Sequence, residues 1–205
     1  WHSEAFKIAK KFNKKIFSSP FSLRAVDHLE KFKCPLYKIA SFEITDFKLI
    51  DYIASKKKKV ILSTGMSTIS EIKNALKVIN RYHNNVAILH CVSDYPTKIK
   101  DSNLRKILYL KEIFPKNEIG LSDHTNGIST SVIAMKFGIS YIEKHFNLDN
   151  LQTADSTFSI NPDQLKELSE TINYLFNKPK KENFLRKKNI FLKLSIFSTK
   201  NIKKN

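Results

Sequence analysis

The stretch Val60-Ile61-Leu62-Ser63-Thr64-Gly65-Met66-Ser67-Thr68-Ile69-Ser70-Glu71-Ile72, read on through Leu76 and Ile79 to Val86-Ala87-Ile88-Leu89-His90-Cys91, decides the fold. Its two ends are short apolar runs rich in β-branched residues, and they predict strands over residues 60–64 and 86–91. Between them Ile69, Ile72, Leu76 and Ile79 recur at helical spacing. Thr68 and Glu71 are spaced as a capping box, which starts a helix over residues 68–82. Gly65 permits a tight turn between strand and helix. Strand, amphipathic helix, strand is a βαβ unit, and a βαβ unit means parallel pairing.

The same alternation extends in both directions. Further strands are predicted over residues 15–18, 37–41, 119–122 and 141–145. A last helix is predicted over residues 162–176, where Leu165, Leu168, Ile172, Leu175 and Phe176 form the apolar set. Asn161 is its N-cap and Pro162 its first helical residue. An α/β chain of this kind folds as a doubly wound open sheet or as a (β/α)8 TIM barrel. Only four glycines occur, none in a phosphate-cradling GxGxxG or GxxxxGK[ST] loop, which weighs against the open sheet. Polar residues cluster at the C-terminal end of nearly every expected strand, where barrels place their chemistry. A partial barrel of about six βα units over residues 1–177 is therefore expected, about two short of the complete fold. Residues 178–183 read as a linker, residues 190–197 could form one more strand, and the chain looks clipped at both ends.

Composition narrows the function. The 205 residues, 41% hydrophobic, suffice for one domain with a core, and no apolar run approaches the roughly 18 residues of a membrane span. Cys34 and Cys91 have no metal-type spacing and suggest no disulfide framework, which fits a reduced, cytoplasmic compartment. The net charge of +17 raises nucleic-acid binding, but the lysines are spread along the chain with no RNA-binding aromatic motif or zinc finger among them. No nucleic-acid and no membrane partner is expected. A basic surface can still steer an anionic substrate.

The strand ends carry the chemistry. Ser19 follows the first; Lys38, Ser41 and Glu43 surround the second; Ser63 closes the third. Ser93, Asp94 and Tyr95 follow the fourth, Ser122 and His124 the fifth, and Glu143 and His145 end the sixth. Alternate strand residues face one way, so Glu143 and His145 share a face, as do Lys38 and Ala40. Two imidazoles with nearby carboxylates suit a divalent ion such as Mn²⁺. Lys38 with the serine hydroxyls suits a phosphate or carboxylate. Each residue alone has a plainer reading: His90 as a packed core histidine, Glu143 as the partner of Lys144, the serines as helix caps, and His2, His28 and His83 as surface groups. Recurrence at five or six successive strand ends favours a site.

Five segments, Phe17-Ser18-Ser19-Pro20-Phe21, residues 37–46 (YKIASFEITD), Leu62-Ser63-Thr64-Gly65-Met66, Leu121-Ser122-Asp123-His124-Thr125 and Ile142-Glu143-Lys144-His145-Phe146, resemble the N-acetylneuraminate (sialic acid) synthase family in order and spacing. Residues 40–46 and 151–156 (LQTADS) resemble its pseudaminic acid branch. The resemblance implies an enzyme joining phosphoenolpyruvate to an acetamido-sugar aldehyde with release of phosphate. It implies that His124 and His145 hold a divalent metal (Mn²⁺ or Mg²⁺), with Asp155 beside it through a water. It implies that Lys38, Ser41, Ser63, Ser122 and Ser19 hold phosphoenolpyruvate, that Glu143 stands beside its carbon 2, and that Tyr95, Ser93 and Glu43 face the sugar. Glu143 and Lys38 are the expected catalytic pair.

Relatives of this kind begin with two further βα units carrying a glutamate and a lysine. They end in an antifreeze-like domain whose arginine crosses a homodimer, so residues 178–205 are expected to be a linker and the start of that domain. Leu194 stands where that arginine is usual, and Asp94 where a small residue is common. A sister activity, making N-acetylneuraminic or legionaminic acid, is the second reading. An inactive basic fragment or binding module is the third.

Overall fold

The structure is a computed structural model, and it describes residues 1–148 and 152–176. The chain alternates strand and helix after two opening helices, α1 (His2–Lys11) and α2 (Leu23–Glu30). Then come β1 (Leu36–Ile39), α3 (Phe47–Ser55), β2 (Lys59–Ser63), α4 (Ile69–Ile79), β3 (Val86–Cys91) and α5 (Lys106–Ile113). β4 (Glu118–Asp123), α6 (Ser129–Ala134), β5 (Tyr141–Lys144) and α7 (Pro162–Phe176) complete the described elements. The five strands form one sheet in the order β1-β2-β3-β4-β5, every pair parallel.

Local chemistry accounts for the helix starts. Thr68 and Glu71 form the reciprocal capping box at the head of α4. A second reciprocal pair heads α7: Gln164 N–H donates to Asn161 Oδ1 at 2.9 Å and Asn161 N–H to Gln164 Oε1 at 3.1 Å. Ser22 caps α2 and Asp46 caps α3. Strand alternation divides the core in two. Tyr37, Ile39, Val60, Leu62, Val86, Ile88, Ile119 and Leu121 pack outward against the apolar faces of the helices. Ile61, Ala87 and Leu89 pack on the other face with Leu36 and Tyr141.

One contact separates barrel from open sheet. Lys38 on β1 and Glu143 on β5 lie at opposite edges of the sheet, yet Nζ and Oε1 are 2.5 Å apart. In a flat sheet those strands stand about 19 Å apart at ~4.8 Å per strand, beyond the reach of a Lys and a Glu together. The sheet therefore curls into a half-barrel, and the inner face is concave.

The expected first strand over residues 15–18 is not a strand. Only Ser18 pairs, in a single parallel bridge to Tyr37, so the described sheet has five strands rather than six. Phe17 is exposed there, and no apolar face holds the segment to a ladder. Residues 178–205, where the linker and second domain are expected, lie outside the described residues.

Candidate active site

The polar strand ends meet at the C-terminal rim of the half-barrel. Ser122 and Glu143 are register partners on β4 and β5. The Ser122 hydroxyl donates to Glu143 Oε1 at 2.7 Å, the same oxygen that pairs with Lys38. Three strands thus deliver a cation, a carboxylate and a hydroxyl to one point. The plainer reading of Glu143 as the partner of Lys144 does not hold: Lys144 points to the outer face and pairs with Asp123.

A second cluster adjoins the first. Ser41 opens the turn after β1, and its Oγ accepts the Gly65 N–H at 2.9 Å and lies 3.6 Å from Cys91 Sγ. Ser63 is buried at the end of β2, and its hydroxyl has no hydrogen-bond partner among the described residues. One carboxylate oxygen of Glu43 is also buried without a partner, and burial pushes the Glu43 carboxyl above its ordinary range. Buried polar atoms normally find partners, so these two orphans are groups with which a ligand could bond. Gly65 serves close approach rather than the turn. A Cβ there would meet Ser93 Oγ at 2.1 Å and Ser41 Oγ at 2.9 Å, while the positive φ of the turn falls on Met66. Ser93 is thereby packed onto Gly65. Ser19 follows the Ser18 bridge, half-buried, and makes none of these bonds. Asp94 is exposed, and its backbone carbonyl accepts the Thr97 hydroxyl at 2.7 Å.

The imidazoles stand beside this cluster. The rings of His124 and His145 are 5.2 Å apart, centroid to centroid. His124 Nδ1 is 2.8 Å from the Val92 carbonyl, which can only accept, so the proton sits on Nδ1 and Nε2 carries the lone pair, 3.4 Å from the Ser122 hydroxyl oxygen. His145 Nδ1 is 3.1 Å from Asp155 Oδ2, the carboxylate-on-imidazole arrangement that orients a metal ligand and presents Nε2. Burial lowers the pKa of both rings, and His124 lowers that of His145 further, so both favour the neutral, electron-donating form. These two nitrogens fit a divalent ion that keeps much of its shell as water or substrate oxygen. Among the described residues no group of three or more His, Cys, Asp or Glu side chains can chelate one alone.

An aromatic wall backs the imidazoles. The Tyr95 ring is 4.3 Å from His124 and 5.3 Å from Phe158, and Phe158 is 4.8 Å from His145. Burial pushes the Tyr95 phenol up. Phe158 and Cys91 belong to the site and were not singled out from sequence. The alternation of β3 places Cys91 on the inner face with Leu89 and Ala87, a signal the sequence does carry; Phe158 lies in an irregular segment without one. His90 is a core histidine, 1% exposed, with Nε2 2.8 Å from the Ser102 carbonyl.

Known proteins resemble this chain in sequence and fold. The chain is 47% identical over 174 residues to the pseudaminic acid synthase of Helicobacter pylori, an alignment covering 84% of this chain and 51% of that one. It is 38% identical over 212 residues to the N,N'-diacetyllegionaminic acid synthase of Campylobacter jejuni, covering 99% of this chain and 63% of that one. The crystal structure of N-acetylneuraminic acid synthetase from Leptospira borgpetersenii, in complex with citrate, superposes with a TM-score of 0.79 at 33% identity. That match covers 88% of this chain and 65% of the other. The chain spans about half the length of the Helicobacter relative. The NeuB family profile matches residues 1–182, so with its half-barrel and rim of polar strand ends the chain belongs to the NeuB family.

Proposed function

We propose that the protein condenses phosphoenolpyruvate with an acetamido-sugar aldehyde, and that the sugar is 2,4-diacetamido-2,4,6-trideoxy-altropyranose, giving pseudaminic acid and phosphate. The observation that carries the reading is the meeting of Lys38, Ser122 and Glu143 across the half-barrel, beside the facing rings of His124 and His145. The pseudaminic branch is favoured by the 47% identity to that synthase against 38% to the legionaminic one, and by residues 40–46.

In this reading Lys38, Ser41, Ser63 and Ser122, with Ser19 at the rim, bind the phosphoenolpyruvate anion; the unpartnered Ser63 hydroxyl gains its partner then. Carbon 3 of phosphoenolpyruvate bonds to the aldehyde carbon, and the aldehyde oxygen takes up a proton. Water adds at carbon 2, and the carbon–oxygen bond to phosphate breaks. Glu143 faces the positive charge that develops at carbon 2 and stabilises it. Glu43, Ser93 and Tyr95 face the sugar. Asp155 orients His145. Held by His124 and His145, a divalent cation (Mn²⁺ or Mg²⁺) supplies Lewis acidity toward the aldehyde oxygen.

The protein works as a homodimer in the cytoplasm in this reading, and two buried, unbridged cysteines accord with a reducing compartment. The test is phosphate release by the full-length protein with Mn²⁺ and each candidate sugar. Release only with the diacetamido-trideoxy sugar is expected. Preference for N-acetylmannosamine would overturn the branch, and release with no sugar would overturn the reaction.

A further inference from the structure

We propose that the buried ion pair between Asp123 and Lys144 is a positioning device that sets the separation and pitch of the two imidazoles, and through them the affinity for a divalent cation. The inference rests on the reading that His124 and His145 hold such a cation.

The β4–β5 ladder ends at Asp123 opposite Lys144. One residue further, the two chains part: the His124 carbonyl accepts the Thr97 N–H at 3.0 Å, and the His145 carbonyl accepts the Ile160 N–H at 2.8 Å. The two histidines are thus tied to different loops at the point where their rings must face one another. The outer face supplies what the ladder no longer does. Lys144 Nζ lies 3.2 Å from Asp123 Oδ2 and also donates to the Thr125 carbonyl. Lys144 immediately precedes His145, and its two partners flank His124. Asp123 Oδ1 accepts the Thr125 N–H at 2.9 Å and the Thr125 hydroxyl at 2.8 Å, while Oδ2 accepts the Ser131 hydroxyl at 2.6 Å. The carboxylate therefore fixes the backbone on the far side of His124 and anchors it to α6. Both side chains are almost wholly buried, 1% exposed for Asp123 and 4% for Lys144.

Such a pair is a poor choice for stability alone. Desolvating two charges roughly cancels their attraction, and apolar replacements of similar volume are often neutral or stabilising. What an apolar pair cannot supply is the directional bracket around His124. Groups bonded directly to a metal-ligating ring alter metal affinity about 10–100-fold when replaced, which sets the scale for a bracket that acts on the same rings through the backbone.

The test compares Lys144→Met, the apolar pair Asp123→Leu/Lys144→Met, and a remote control, Ile53→Val, in the full-length protein. Mn²⁺ affinity is read by electron paramagnetic resonance titration, and the metal-free imidazoles by ¹⁵N resonance. Lys144→Met is expected to weaken Mn²⁺ about 10–100-fold and to move the His124 and His145 resonances but not that of exposed His28. Ile53→Val lowers the melting temperature and leaves both readouts at their wild-type values. Should Lys144→Met fail to fold, the apolar pair decides, and weakened Mn²⁺ binding with shifted resonances is expected again. Folded variants with wild-type Mn²⁺ affinity and unmoved resonances overturn the bracket. A wild-type protein that binds no Mn²⁺ overturns the cation reading instead, and the resonances alone then judge the bracket.

Discussion

Gly65→Ala tests whether close approach, rather than turn geometry, is what residue 65 supplies. The new Cβ would lie 2.1 Å from Ser93 Oγ, 2.9 Å from Ser41 Oγ and 3.1 Å from Cys91 Sγ, where ordinary contact is 3.4–4 Å. Overpacking on this scale costs about 1–3 kcal/mol. Displacing Ser41 also weakens its bond from the Gly65 N–H, for about 1 kcal/mol more. At about 2–4 °C per kcal/mol for a chain of this size, the melting temperature falls by about 5–15 °C. Ser93 can relieve the worst contact by rotating, and that relief moves a residue assigned to the sugar. Thermal melts and phosphate-release kinetics should therefore separate: Gly65→Ala/Ser93→Ala recovers much of the melting temperature, but neither variant recovers the wild-type KM. Gly120→Ala is the counterpart away from the substrates, since its Cβ meets the Tyr141 backbone carbonyl at 2.8 Å, which cannot swing aside. It costs stability at the upper end of the same range and leaves KM unchanged in the folded fraction. A Gly65→Ala protein melting within about 1 °C of wild type, with wild-type KM for the sugar, refutes the reasoning.

Two further outcomes follow from the same geometry. Glu143→Gln keeps the shape but removes the charge facing Lys38, so kcat should fall about 10²–10³-fold. The ion pair is partly exposed, at 19% and 28%, so its loss should cost at most about 1 kcal/mol, and a large drop in melting temperature would reassign Glu143 to a structural role. Burial holds His90 below its ordinary value of 6.5. Between the folded and unfolded values the unfolded chain carries more protons, so stability is full above pH 6.5 and is lost as pH falls through the folded value. His90→Gln should flatten that decline in a melting series from pH 7.5 to about 5, without abolishing it, because burial lowers His83, His124 and His145 too.

Much of this was legible in the sequence where one local cause dominates. Residues 86–91 are apolar on both faces but for His90, and β3 occupies them from first to last. The caps at Thr68 and Asn161 announce α4 and α7 because each stands just before an apolar run at helical spacing. Pattern cannot report whether a partner is present, and so residues 15–18 read as a strand where the structure has one bridge. At the rim the residue types and their strand ends were readable, but the pairings were not. Lys144 adjoins Glu143 in sequence and points the other way, while Lys38, 105 residues distant from Glu143, touches it. Gly65 reads as a turn residue and is a gap-keeper, a distinction that needs the neighbouring strands in place.

The alternation at the ends of β4 and β5 also bears on how this rim can change. Ser122 and Glu143 meet on the inner face and the rings of His124 and His145 face one another at the rim, while the residues threaded between them, Asp123 and Lys144, pair on the outer face. Inner and outer roles alternate one residue at a time, so an inner residue can be replaced while the outer pair stays in place, but a shift in length moves both sets together. A point change at an inner position retunes what the rim accepts and leaves the brace intact. A single deletion inside either strand exchanges the two sets beyond it, turning an imidazole toward the helical layer and Asp123 or Lys144 toward the inner face. New specificities at this rim are reached by replacing residues, and insertions belong in the connections beyond it.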